Sequence, residues 1–280
     1  MRRSLLAAVL AASLARDLTT SAQGPSRPSE PSVRYRSVLI VGPQTVAALR
    51  KEHGRDGFLT VLKVNRLDLE HVRQGDTLVV PERVDDALLL SPLPRTLPVD
   101  LTPAARVILV SRRVQAFGAY ENGALVRWGP TSTGRKETPT PPGLYHTNWR
   151  AKLRRSSDNA QWLLPWLVNF ENSRGISFHQ FDLPGYPASH ACVRLLEDDA
   201  RWVFDWIDQW VLSEDRRAVL FYGTPVIVFG DYTYDAPAPW KRLADDPLAA
   251  SVALTEVQAA LEPQVEVIAA RAHERIAGNR

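Results

Sequence analysis

The chain contains one cysteine, Cys192, among its 280 residues, so it cannot form an internal disulfide and its fold must depend on its core. It has no run of about 20 uninterrupted apolar residues, which argues against a membrane-spanning helix. Its Lys and Arg residues are scattered and its formal net charge is +3, so it lacks the basic tract of a nucleic-acid-binding protein. Metal-ligand patterns of the CxxC and HExxH types are absent, and we expect neither a metal nor another cofactor.

The composition is that of a folded protein with a large β-rich part. Hydrophobic residues make up 45% and charged residues 23%, which is ordinary for a globular chain. The length is enough for one large domain with smaller attachments. The 21 prolines stand between apolar runs and favour a β-rich body.

The N-terminal residues predict export. Arg2 and Arg3 precede a short apolar run at residues 5–12, and small residues follow at positions suited to cleavage. We predict a signal peptide at residues 1–22, a Pro/Ser-rich linker at 23–34, and a location in the periplasm or cell envelope. The alternative is a helical or disordered N-terminus of a cytosolic protein. No cysteine follows the apolar run, so we expect no lipid anchor there.

Residues 35–82 combine strand and helix signals. VLIV predicts a strand, Thr45 is a candidate N-cap of a first helix, FLTVLKVNR predicts a second helix, and residues 77–80 predict a strand that Pro81 ends. The segment LKVNRLDLEHVRQGDTLVVP resembles the second half of a LysM domain. The matching residues are Asn65, Leu69, Gly75, Leu78, Val80 and Pro81. The resemblance implies binding of glycan strands that contain N-acetylglucosamine, but GPQTV replaces the usual Gly-Asp-Thr-Leu, so an unrelated α/β module is the alternative.

The rest of the chain divides into a proline-rich connector at residues 83–105, a β-rich body at 106–231 and a helical extension at 232–280. The extension should break near Pro263, and its apolar stripe should pack on the body or on a partner. LEDDARWVFDWIDQWV predicts a helix at residues 196–211. The strand candidates of the body are RVILVS, VQAFGAY, ALVRWGPTS, GISFHQF and GTPVIVFG.

Three side chains that could act as a nucleophile, a base or a metal ligand lie close together in the sequence. They are His179, His190 and Cys192. A thiol has an ordinary pKa of about 8.5, and a nearby imidazole increases its thiolate fraction. Residues two apart in a strand share a face, which would place His190 beside Cys192, and the loop DLPGYPA can return the chain to His179. Simpler interpretations are a buried, inert cysteine and histidines that serve packing alone. The three side chains are also competent zinc ligands.

The pattern around Cys192 resembles the L,D-transpeptidase (YkuD-type) family, in which a His on a strand is followed by a loop and then by Ser/Thr-His-Gly-Cys with a nearby Arg. Here the corresponding residues are His179 and the segment SHACVR. Two further blocks of the family, a Ser-Thr-Gly and Thr-Pro-x-Gly pattern and a final strand, are matched by TSTGRKETPTPPGLY and GTPVIVFG. The resemblance covers about residues 106–230. It implies a mainly β, α+β fold with a β-sandwich or barrel-like catalytic domain, here with the small α/β LysM-like module and the helical tail added.

The resemblance also implies a cysteine acyltransferase that acts on peptidoglycan stem peptides without a cofactor. Cys192 would be the nucleophile and form a thioester, His179 would be the base, and the Gln180 carbonyl would orient it. Backbone N–H groups near Cys192 would form an oxyanion hole, and Arg194 could hold a substrate carboxylate. The remaining pocket residues would be Ser189, His190 and Ala191. The acyl acceptor would be an amine of another stem peptide, an envelope protein, or water.

Two residues depart from the family pattern. Ala191 replaces the usual Gly before the cysteine, at a position where Gly often permits a positive φ, and Gln180 replaces the Gly of the common His-Gly pair. Hydrolysis by an L,D-carboxypeptidase and a non-catalytic, peptidoglycan-binding envelope protein therefore remain the alternative functions.

Overall fold

The computed structural model describes residues 33–84, 87–101 and 103–278. The predicted signal peptide, and the predicted linker up to residue 32, lie outside these residues. In the part that is described, no helix has the length and apolar character needed to cross a membrane. The predicted mainly β, α+β architecture is confirmed, with a small α/β module before two sheets and a helical tail after them.

The N-terminal module has two antiparallel strands connected by a long, broken helix. Its elements are β1 (Tyr35–Leu39), α1 (Pro43–Asn65) and β2 (Thr77–Pro81). Gly54 interrupts α1 with a φ of 68° and a ψ of −178°, so the helix has the two halves that the sequence predicts. The N-cap is Gly42, followed by Pro43, which is well tolerated in a first turn. Thr45 is therefore wrongly predicted as the N-cap, and its hydroxyl instead accepts from the Val41 N–H at 3.4 Å.

Asn65 connects the end of α1 to β2. Its side-chain amide donates to the carbonyls of Val61 and Val79 at 2.8 and 2.7 Å, and its side-chain carbonyl accepts from the Val79 N–H at 2.8 Å. The residue is buried, so its removal would leave backbone groups without partners. Phe58 and Leu62 from the second half of α1 belong to the same buried cluster as strand residues of β2.

Two sheets form the body of the protein. Their strands, with one short additional pair, are β3 (Arg106–Ser111), β4 (Ala116–Glu121), β5 (Ala124–Pro130), β6 (Gly143–His146), β7 (Arg150–Arg155), β8 (Leu163–Glu171), β9 (Ile176–Gln180), β10 (Val193–Leu195), β11 (Val211–Leu212), β12 (Val219–Phe221) and β13 (Pro225–Phe229). The first sheet has the order β5-β4-β3-β13-β6 and the second β10-β9-β8-β7, while β11 and β12 pair separately. The β3–β13 and β9–β10 pairs are parallel, and the other pairs are antiparallel.

Apolar side chains from both sheets form the core that supports the site. Phe117 and Val228 of the first sheet belong to one buried cluster with Phe178 and Val193 of the second. Helix α2 (Glu197–Trp206) adds Val203 to this cluster. Because Phe178 and Val193 flank the predicted site residues, the core anchors both strands that carry the site.

The C-terminal tail packs on the body. Its helices are α3 (Leu254–Leu261) and α4 (Val265–Gly278), and the short 3-10 turn between them contains Pro263, so the predicted break is confirmed. Val257 and Ile268 are buried in the cluster that contains Trp128 and Ile227 of the first sheet. The apolar stripe of the tail therefore covers the face of that sheet opposite the second sheet.

Two parts of the body differ from the sequence prediction. The β7–β8 hairpin is absent from that prediction because β7 (RAKLRR) is charged and largely exposed, without the alternation of a half-buried strand. The helix predicted for residues 196–211 ends at Trp206. Ile207 takes an extended conformation (φ −73°, ψ 154°), and the following residues pair with β12.

Candidate active site

Parallel strand pairing holds the segment that contains Cys192 beside His179. His179 lies on β9, and β10 begins at Val193, directly after the cysteine. In the register of this pair Arg194 lies opposite His179, and Val193 lies opposite Phe178. Since paired residues of neighbouring strands point to the same face, His179 and Arg194 meet at one surface with Cys192 at its end.

One small cavity brings most of the predicted site residues together. Its volume is about 40 Å³, room for a few water molecules. Five of the seven residues predicted from the sequence line it, namely His179, Ser189, His190, Cys192 and Arg194. The other two, Gln180 and Ala191, contribute main-chain groups beside it. A ligand larger than a few water molecules must therefore bind at the rim of this cavity or after its lining has moved.

His179 is a buried histidine whose ring is oriented by a main-chain carbonyl. The residue is 4% exposed, and its Nδ1 lies 3.0 Å from the carbonyl oxygen of Gln180. Because a carbonyl oxygen can only accept, the neutral ring carries its proton on Nδ1 and leaves Nε2 unprotonated. Burial is the main reason that the pKa of His179 is lowered to about 4; the Gln180 bond opposes the shift, and Arg194 adds to it. Near pH 7 the ring is neutral and basic at Nε2.

Cys192 is a half-buried free thiol. Burial is the main reason that the pKa of this thiol is raised to about 11. The backbone N–H of Ser177 and the Arg194 guanidinium lower it, whereas Asp158 raises it. The thiol is therefore protonated near pH 7.

The thiol and the imidazole share a cavity without a direct hydrogen bond. The Cys192 Sγ lies 3.8 Å from the carbonyl oxygen of Gly175 and donates there, and no bond joins it to the His179 ring. The resting pair is thus a neutral thiol and a neutral imidazole, not a thiolate and an imidazolium. Such contacts often shorten only when substrate binds.

Ala191 has a positive φ of 81°, the left-handed conformation that a glycine would adopt without strain. Residues 190–192 consequently form a bend, and β10 begins only at Val193. The expectation that His190 and Cys192 share one face of a strand is therefore wrong. These residues lie outside the strand, so the alternation of strand side chains does not apply to them, although both still line the cavity.

The Ser-Thr-Gly block of the sequence forms the frame of the cysteine segment. Ser132 and Arg194 exchange two backbone hydrogen bonds of 3.1 Å, and the Ser189 N–H donates to the Thr133 carbonyl at 3.1 Å. The Ser189 hydroxyl donates to the Cys192 carbonyl.

The glycine of the same block is required by close packing. At Gly134 a Cβ atom would lie 2.1 Å from the Thr138 carbonyl oxygen, so only glycine fits there. The block acts structurally, through close backbone packing.

Aromatic side chains surround the outer part of the cavity. The His190 ring lies 5.3 Å from that of Trp162, and the Arg194 guanidinium lies 4.6 Å from the centre of the Phe181 ring. Within the described part of the chain, no carboxylate lies within 4.0 Å of Arg194, and its nearest acceptor is the Asp182 carbonyl at 3.4 Å. Arg194 therefore has donors available for a bound carboxylate.

The N-terminal module contacts the loop that precedes the cysteine. Two hydrogen bonds join Asp68 to Leu183: the Asp68 N–H donates to the Leu183 carbonyl at 3.0 Å, and the Asp68 carboxylate accepts from the Leu183 N–H at 2.8 Å. Leu67 and Pro184 form a β-bridge beside them. The module thus supports the DLPGYPA loop directly.

Several site residues are missing from the sequence prediction. Asp158 and Trp162 lie in the turn of the β7–β8 hairpin and line the cavity. They are missing from the prediction because the hairpin itself was not predicted. Thr140, within the quoted Thr-Pro pattern, donates to the Ala191 carbonyl at 2.8 Å. Its position in the Thr-Pro pattern is the sequence signal that could have identified Thr140 as a site residue. Among the described residues, no group of three His, Cys, Asp or Glu side chains could hold a metal ion.

Comparisons with known proteins support the resemblance for part of the chain. Residues 105–228, somewhat less than half of the protein, match the YkuD family model, the L,D-transpeptidase catalytic domain. This confirms the catalytic-domain resemblance for those residues and does not extend to the LysM-like segment. No curated protein matches the chain.

Solved structures with partial likeness are L,D-transpeptidases. L,D-transpeptidase 1 of Mycobacterium tuberculosis is 24% identical, with 45% of this chain and 62% of that chain covered and a TM-score of 0.34. The L,D-transpeptidase of Stackebrandtia nassauensis is 16% identical, with 67% and 77% covered and a TM-score of 0.39. That of Xylanimonas cellulosilytica is 19% identical, with 74% and 100% covered and a TM-score of 0.43. The chain spans about three-fifths of the length of the first of these.

Proposed function

We propose that this protein is a cysteine L,D-transpeptidase that acts on peptidoglycan stem peptides, with Cys192 as the nucleophile and His179 as the base. The observation that carries the proposal is the cavity in which the single cysteine meets a neutral histidine whose unprotonated nitrogen is Nε2. The family match of residues 105–228 supports the reaction class.

The proposed reaction is acyl transfer through a thioester. His179 Nε2 takes the Sγ proton as Sγ attacks the carbonyl carbon of the stem peptide. The tetrahedral intermediate collapses with cleavage of the C–N bond, and the departing amine takes the proton back from His179. An incoming amine, from a second stem or an envelope protein, then attacks the thioester, and Cys192 leaves as the thiol. With water as the acceptor the same steps give a carboxypeptidase.

The neutral resting pair favours proton transfer during attack. With the pKa of the thiol near 11 and that of His179 near 4, a preformed thiolate–imidazolium pair is unfavourable. Substrate must therefore bring Sγ away from the Gly175 carbonyl and towards Nε2. Arg194, without a carboxylate partner in the described part of the chain, is placed to bind a carboxylate of the stem, and Ser189 and His190 shape the pocket around the thiol.

We further propose that the protein works in the periplasm or cell envelope and that residues 35–82 bind glycan strands as a LysM-like module. Residues that match the LysM pattern support this, since Asn65 connects helix and strand and Gly75 turns the chain with a φ of 94°. In the same proposal residues 83–105 are a connector, 106–231 the catalytic domain and 232–280 a helical extension. The proposal also includes cleavage of a signal peptide after residue 22.

The direct test is incubation of the purified protein with tetrapeptide muropeptides and analysis of the products by mass spectrometry. We expect loss of the terminal D-amino acid and joined stems from the wild type, and none from Cys192→Ala. Equal activity of the two proteins would disprove the nucleophile assignment. Loss of the terminal residue without joined stems would indicate hydrolysis.

A second candidate is a non-catalytic peptidoglycan-binding protein. The protonated thiol and the missing Sγ–His179 bond favour it. It predicts sacculus binding that survives Cys192→Ala and no acylation of Cys192 by a carbapenem. Stoichiometric acylation would exclude it.

A further inference from the structure

We propose that the hydroxyl of Thr140 positions the oxyanion hole by holding the peptide group between Ala191 and Cys192. The inference rests on the acyl-transfer function proposed above. It concerns how this chain keeps a backbone geometry that glycine usually provides, although it has alanine at position 191.

The first observation is the orientation of this peptide group. In a trans peptide the C=O and the following N–H point in opposite directions, so fixing the Ala191 carbonyl also fixes the Cys192 N–H. Thr140 Oγ1 donates to the Ala191 carbonyl oxygen at 2.8 Å. In the part of the chain that the structure describes, no acceptor is hydrogen-bonded to the Cys192 N–H. The N–H of a nucleophile is a common oxyanion donor, and here it is available.

The second observation is that Thr140 is itself held firmly. Its side chain is fully buried, and Oγ1 accepts from the Gly134 N–H at 2.9 Å, which directs the hydroxyl hydrogen towards Ala191. Its carbonyl accepts from Arg112 Nη1 at 3.0 Å, and Arg112 Nε donates to the Gly230 carbonyl at 2.7 Å. Thr140 is thus tied to the end of the first sheet.

The third observation is the strain at Ala191. Its φ of 81° is unfavourable for a residue with a Cβ atom, so the segment needs external bonds to stay in this conformation. The Thr140 and Ser189 hydroxyls supply them, one on each carbonyl that flanks the Cys192 nitrogen and Cα. Without the Thr140 bond, Ala191 is free to relax and turn the Cys192 N–H away from the reacting carbonyl.

The test compares two reactions of the same thiol. Acylation by a carbapenem passes through an oxyanion, whereas alkylation by iodoacetamide does not. We expect Thr140→Val to slow acylation by about 10- to 100-fold, somewhat less than the loss of a whole oxyanion donor, and to leave alkylation nearly unchanged. Thr140→Ser, which keeps the hydroxyl, should restore acylation. Thr131→Val is the matched control, because the buried Thr131 hydroxyl has no hydrogen-bond partner among the described residues.

A second comparison tests the role of strain. In an Ala191→Gly background the left-handed conformation is intrinsically allowed, so Thr140→Val should slow acylation less than it does beside Ala191. The same comparison keeps the proposal testable if the single Thr140→Val variant folds poorly, since the glycine background should tolerate the loss of the hydroxyl better.

The outcomes separate this inference from the function on which it rests. If the wild type is acylated and Thr140→Val is acylated equally fast, or loses acylation and alkylation in equal measure, Thr140 does not position the oxyanion hole. If iodoacetamide labels wild-type Cys192 but a carbapenem does not, the acyl-transfer function itself is wrong, and the role of Thr140 is wrong with it.

Discussion

His179 and His146 are both buried histidines whose pKa is lowered mainly by burial, to about 4 and about 3. They differ in what faces Nδ1. Nδ1 of His179 donates to the Gln180 carbonyl, whereas Nδ1 of His146 accepts from Arg271 Nη1 at 3.0 Å. The proton of the neutral ring is therefore on Nδ1 in His179 and on Nε2 in His146. Of the two rings, only that of His179 has a basic Nε2.

The larger of the two cavities beside these histidines is not the one that contains the thiol. The cavity at His146, between β3, β6 and α4, measures about 420 Å³, ten times that at Cys192. It has arginines in its lining, but it contains no thiol, and the buried His146 Nε2 has no hydrogen-bond partner in the part of the chain that the structure describes. Cavity size and histidine burial therefore do not distinguish the proposed active site from the cavity at His146. The position of the imidazole proton and the presence of a thiol do.

The variant pair His179→Gln and His146→Gln tests this comparison most strongly. Loss of the proposed base should slow carbapenem acylation of Cys192 by about 10²- to 10⁴-fold, whereas His146→Gln should leave the rate unchanged. Mass spectrometry of the intact protein over time measures both. The comparison fails if His146→Gln slows acylation as much as His179→Gln does.

The pH dependence of the acylation rate tests whether His179 acts as a neutral base. Because neutral His179 is the proposed base, the acylation rate should be constant across neutral pH and fall as the pH drops through about 4. The thiolate of Cys192 should form only near pH 11, seen as ultraviolet absorbance that Cys192→Ala lacks. A thiolate present at neutral pH would show a preformed ion pair instead of the neutral pair described here.

The smallest expected effect concerns the strained residue next to the thiol. Ala191→Gly should raise the free energy of unfolding by roughly 0.5–1 kcal/mol, since relief of the left-handed strain exceeds the added entropy of the unfolded chain. Ala200→Gly, at an ordinary helical φ in α2, should lower it by about 1 kcal/mol. Denaturant unfolding measures both. A loss of stability in Ala191→Gly would mean that the strain is absent.

Local patterns in the sequence predicted much of the first sheet. The candidates RVILVS, VQAFGAY, ALVRWGPTS and GTPVIVFG all fall on strands of this sheet, and the Asn122-Gly123 turn between two of them has positive φ at both residues. The β7–β8 hairpin, with Asp158 and Trp162 in its turn, was not predictable in this way. Its charged strand has no apolar face, so only its pairing with β8 makes it a strand.

The sequence alone identified the proposed nucleophile, because the chain has one thiol, and it indicated which histidine lies near it, because a short Gly/Pro-rich loop separates them. It also marked Ala191 as the residue whose backbone is in question. The tertiary structure decided the rest: the φ of Ala191, the Thr140 bond that holds it, and the tautomer and charge of His179 and His146. These depend on partners from distant strands and on exclusion of water, which no local pattern of residues contains.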